Sequence, residues 1–186
     1  MISPSEEGRC RQYRSGARDE AVIERDDQRI TEFHLAEPVP LVSFSVAPYE
    51  IHKDQAKMPD GRLLPIEFYS LPGYKAAIKE DFILAELNNS IRYFTALFGP
   101  YPYPIFRAAY HPFDYGQGFP TTLMIPGTDK AVNRTYQFIA HETSHQWWGD
   151  VVLWRSYRDQ WLSEGFAEYS GLLYTGFRER CGRRKT

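Results

Sequence analysis

The sequence predicts an α+β protein, and three observations carry that reading. Apolar positions alternate with period two up to about Leu71, they recur at three- and four-residue steps from Tyr74 onward, and two helical patterns close the chain. Across 186 residues, hydrophobic side chains make up 42% and charged ones 25%, enough apolar material for a real core and too much for a disordered chain. A net charge of −2 provides no basic field for phosphate backbones, so nucleic acid is not an expected partner.

Residues 1–18 are rich in Ser, Gly and Arg and are expected to form a flexible arm. Residues 19–72 read as a β-rich segment. Ala21-Val22-Ile23 and Ile30 to Leu35 flank a charged turn, Val42 to Val46 alternates, and Ile66 to Tyr69 follows the Pro59-Asp60-Gly61 turn. From residue 73 the pattern turns helical. Leu84, Leu87, Ile91, Phe94 and Phe98 form an apolar stripe on a long helix that Gly99-Pro100 ends, and core packing is its expected role. Strands are expected through Ile105 to Tyr110 and Thr122 to Ile125, and helices over about 132–148 and 160–177.

Chemistry concentrates in His141-Glu142-Thr143-Ser144-His145. Four residues along a helix is one turn plus a small angle, so both imidazoles project from one face and can grip one ion. Glu142 lies one step round, where its carboxylate can act on water as a general base without becoming a ligand. A catalytic zinc takes three protein ligands and keeps one position open, so a third donor is required. Glu164 supplies it from the second helix, with eighteen residues between it and His145, giving a set of two imidazoles and one carboxylate for one Zn2+. Glu168, one turn on, can accept the second ring N–H of His141, or can be a solvated helix glutamate.

No cysteine or other fourth ligand lies nearby, which favours catalysis over a purely structural zinc. The competing reading is a catalytically inactive zinc- or peptide-binding module of the same fold. His34, His52 and His111 have no partner at ligand spacing and are expected in surface or satisfied polar roles. Cys10 and Cys181, far apart among arginines, are read as free thiols, and the closing arginines 178–184 as a solvated basic tail. No apolar leader or membrane-spanning run is present, so the chain reads as soluble; that favours the cytoplasm without deciding the compartment or the oligomeric state.

With those motifs in view, the chain resembles the membrane alanyl aminopeptidase family of gluzincin zinc metallopeptidases. The matching text is His141 to Asp150 and Asp159 to Tyr169 with their spacing, joined by Phe98-Gly99-Pro100-Tyr101-Pro102-Tyr103-Pro104 and Glu37-Pro38-Val39-Pro40. The resemblance implies a thermolysin-like (zincin) catalytic domain over 73–186, present as its N-terminal part and preceded by the closing strands of a β-domain. It also implies peptide or protein substrates bound along a sheet edge. Two departures stand out. Gly116-Gln117-Gly118-Phe119-Pro120 occupies the place of the family's Gly-x-Met-Glu-Asn motif, so the glutamate that anchors a substrate's free amine is absent. Gly116, Gln117 and Gly118 remain candidates for pairing with a peptide backbone. The chain also stops about one helix after Glu164, before the family's transition-state tyrosine; Tyr169 and Tyr174 lie too near Glu164 to replace it, and the polypeptide reads as truncated and feeble or inactive by itself.

Overall fold

A computed structural model of the chain describes residues 11–14, 18–25, 28–34, 38–73, 78–127 and 135–183. Two small antiparallel pairs come first. β1 (Arg11–Arg14) pairs with β4 (Phe44–Ala47), and β2 (Arg18–Arg25) pairs with β3 (Gln28–His34). The arm expected through residue 18 therefore gives way to strand at 11–14, where pairing with β4 supplies the backbone partners that composition could not reveal. Cys10 and the earlier residues lie outside the described residues.

The main sheet has five strands in the order β5-β6-β7-β9-β8. β5 (Glu50–Lys57) and β6 (Leu63–Ser70) are antiparallel, β6, β7 (Phe106–His111) and β9 (Thr122–Pro126) run parallel, and β8 (Gln117–Phe119) returns antiparallel to β9 at the outer edge. β5 has no apolar alternation to betray it. It is an edge strand with most of its side chains in water, and its sequence, EIHKDQAK, reads accordingly. β5 and β6 lie on the near side of the division expected at 72/73, yet they are hydrogen-bonded into the same sheet as β7, so the sheet crosses that division.

Helix α1 (Glu80–Phe98) makes the crossover from β6 to β7. Its expected stripe is the core: Leu87, Ile91 and Phe94 are fully buried against Leu64, Ile66, Phe68, Phe106 and Leu123 of the sheet. Each such side chain contributes roughly 1.5–3 kcal/mol on burial. Gly99 (φ +103°) ends the helix in a conformation that L side chains rarely adopt. Every residue of β7 is buried, as suits a central parallel strand.

Helices α2 (Thr135–Ser144) and α3 (Trp161–Arg183) lie against this frame. α2 stops four residues earlier than the sequence pattern suggested. His145, Gln146 and Trp147 bond back three residues, to the carbonyls of Glu142, Thr143 and Ser144, so the chain tightens as it leaves the helix. α3 approaches α2 closely at Gly171, where a Cβ would meet the Gln137 carbonyl at 3.1 Å and His141 Cβ at 3.5 Å. Ala167, one turn earlier, is fully buried.

Arg178 corrects the expectation of a solvated basic tail. Its guanidinium donates to the carboxylate of Glu86 on α1 through Nη2 at 2.6 Å and Nε at 3.0 Å, and Tyr174 Oη donates to the same carboxylate at 2.8 Å. The guanidinium also lies 4.6 Å from the Tyr136 ring of α2, so one side chain joins all three helices. Glu86 is only 2% exposed and cannot remain charged there alone. Arg178→Met is expected to lower stability by about 3 kcal/mol, the low end for orphaning a buried charge because water reaches Arg178 on one side. Urea unfolding would show it, with most of the loss recovered when Glu86→Leu is added.

Candidate metal centre

The sequence places His141 in the last turn of α2 and His145 in the tightened turn beyond it, one above the other. Their Nε2 atoms are 3.2 Å apart. Glu164, in the first turn of α3, sends Oε2 to within 3.4 Å of His141 Nε2 and Oε1 to within 3.6 Å of His145 Nε2. It reaches them because Ala167 and Gly171 on the same face of α3 carry too little side chain to hold the helices apart.

The outer ring nitrogens decide what these atoms can bind. His145 Nδ1 lies 2.9 Å from the Trp148 carbonyl, an acceptor, so Nδ1 carries the hydrogen. His141 Nδ1 lies 3.3 Å from Glu168 Oε2, which likewise accepts. In the neutral rings both Nε2 lone pairs therefore face each other and a carboxylate. Three acceptors converging on one point call for a cation. Neighbours on a tetrahedron around zinc stand about 3.3 Å apart, given ligand bonds of about 2.0–2.2 Å, and the three measured separations fit that value.

Burial works against charge on His145, but the hydrogen bond to Glu164 prevails and raises its pKa, and the same bond holds Glu164 below the usual carboxylate range. His141 moves the other way, lowered by burial and by its neighbour His145.

Glu142 points toward the sheet edge. Its carboxyl is buried, and desolvation, helped by the nearby Glu164 charge, pushes its pKa up to about 7. Oε2 has no hydrogen-bond partner. The space beside it exists because glycines stand just before β8 and within it: a Cβ on Gly116 would overlap the Glu142 carboxylate and the Phe138 ring, and one on Gly118 would stand 2.6 Å from His145 Cβ. The Gly118 backbone bonds the Glu142 carboxylate instead. Gly116 and Gly118 thus let the edge strand press against Glu142 and His145, whereas Gln117, between them, is exposed.

The matches to known proteins follow the same geometry. Residues 119–182 match the peptidase family M1 domain, a span holding all three candidate ligands and Glu142. That stretch is similar to the peptidase family M1 domain. An M1 zinc metallopeptidase from Deinococcus radiodurans superposes on 91% of the chain and 38% of its own, with a TM-score of 0.76 at 25% identity. Its likeness agrees with the expected α+β, thermolysin-like class. Aminopeptidase N of Homo sapiens is 29% identical over 166 residues, 81% of this chain, and aminopeptidase N of Streptomyces lividans 28% over 151 residues, 72% of this chain. The chain spans 17% of the length of each.

Other residues behave more simply. His52 Nε2 bonds Ser70 Oγ at 2.7 Å, a satisfied polar role, while His111 is buried with Nδ1 accepting the Phe113 N–H at 3.3 Å. His34 side-chain placement lies outside the described residues. Cys181 is a free, exposed thiol. Tyr174 spends its hydroxyl on Glu86, and Tyr169 is exposed on α3. Among the described residues no helix is long and apolar enough to cross a membrane.

Proposed function

We propose that this chain carries the catalytic centre of a zinc-dependent, aminopeptidase-related metallopeptidase, with the sheet of β5 to β9 and the three helices as the catalytic unit and the earlier strands as the close of a β-domain. One observation carries the reading: two imidazole lone pairs and a carboxylate converge at tetrahedral spacing beside a buried carboxylate with a free oxygen. His141, His145 and Glu164 would hold zinc. Zinc there supplies Lewis acidity, which brings the pKa of water toward about 7 and polarises a carbonyl.

The chain's own residues do the rest. Glu168 and the Trp148 carbonyl keep each Nδ1 protonated and each ring aimed. Glu142 Oε2 accepts the proton of the attacking water and hands it to the departing amine. Its desolvated site suits a base that must take and return a proton near neutral pH. β8 is the outer strand, so a peptide can add to its free edge at Gly116 to Gly118 beside Glu142. With no carboxylate in that stretch, amine anchoring is weak, and blocked peptides compete with free ones as substrates.

The test loads the chain with one equivalent of zinc and follows hydrolysis of peptides with free and acetylated amino termini. Hydrolysis is expected to vanish with a chelator and to return with zinc. A chain that holds zinc at one per molecule and cleaves neither peptide class would defeat the reading.

A further inference from the structure

Gln146 follows the second candidate ligand, and its side chain is completely buried. An amide at that depth needs partners at both ends, and their position tells what it holds. Oε1 accepts the Thr121 backbone N–H at 2.8 Å and the Tyr101 hydroxyl at 3.2 Å. Nε2 donates to the Phe119 carbonyl at 2.7 Å and to the Asp150 carboxylate at 3.1 Å. Two of these four partners are backbone groups of the tight turn that joins β8 to β9.

That turn is not self-sufficient. Thr121 sits at φ +72°, a region that a β-branched residue enters only when its surroundings impose it. The turn also controls β8, whose Gly118 lies against Glu142 and His145 with no room for a methyl group. Gln146 can reach the turn because the chain tightens after α2 and rotates this side chain toward the sheet.

We propose that Gln146 is a positioning residue: it pins the β8–β9 turn to the zinc-binding turn and so sets how deeply the free edge of β8 presents a peptide to Glu142. The amide is needed whole. Glutamate would turn an acceptor toward the Phe119 carbonyl and set a second carboxylate beside Asp150, and methionine would fill the volume but satisfy neither Thr121 nor Phe119.

The proposal rests on the peptidase reading for its kinetic readout and not for its structural one. Gln146→Met and Gln146→Glu are expected to keep zinc at one per chain and to hold kcat within about threefold while KM for peptides rises about tenfold, the pattern of lost substrate placement. Hydrogen exchange at the Thr121 amide should quicken about tenfold, with α1 amides unchanged. Zinc-loaded variants with parental KM would overturn the proposal. If the variants do not fold, the parent decides: a Thr121 amide exchanging as slowly as core amides supports the tether, and one exchanging as fast as an open loop overturns it. Failure of the zinc-loaded parent to cleave any peptide would sink the peptidase reading instead, leaving exchange to judge Gln146.

Discussion

Glu142→Gln is expected to bind zinc at the parental stoichiometry while peptide hydrolysis falls by about 100- to 10,000-fold, the range assigned to positioned general bases. Glutamine has the same shape and can still accept the hydrogen bond from the Gly118 backbone. It cannot take a proton from water. The carboxyl is buried and its Oε2 has no hydrogen-bond partner among the described residues. Since burial already penalises the charged form, the neutral amide should leave thermal stability equal or higher, which separates a chemical defect from a folding one. Metal analysis, steady-state kinetics and thermal unfolding on one preparation would decide. Turnover that survives the substitution would remove Glu142 from the mechanism.

The second large effect is expected at the metal. His145→Ala deletes one of three ligands and leaves Glu164 paired with His141 alone. If a full protein ligand set is worth about 10–16 kcal/mol, one member accounts for about 3–5 kcal/mol, or a loss of roughly 100- to 4,000-fold in zinc affinity. Competition against a chromogenic chelator would measure it. The parent should also unfold at a higher temperature with zinc than without, whereas the variant should show little such gain at micromolar zinc. Parental affinity in His145→Ala would mean that the ion, if any, sits elsewhere.

Local geometry was legible wherever one helix turn sufficed. The four-residue step from His141 to His145 reads directly as two ligands on one face, and Glu142 as their neighbour, because helical geometry depends on little beyond the chain itself. The stripe from Leu84 to Phe98 was legible for the same reason. β5 was not, since an edge strand half in water has no apolar alternation to show. Nor was the end of α2 at Ser144, where the chain tightens and Gln146 meets partners on a turn more than twenty residues away in sequence.

What the sequence by itself determined is a set of candidate donors, a candidate general base beside two of them, and the absence of a carboxylate from Gly116 to Pro120, all properties of residue identity and spacing along the chain. Only the tertiary structure decided that Glu164 meets both histidines, that Gly116 and Gly118 yield their volume to Glu142 and His145, and that Glu86 and Arg178 lock α1 to α3. Those depend on how closely separate elements approach, which is governed by packing between side chains remote in the chain and cannot be read from periodicity along any one of them.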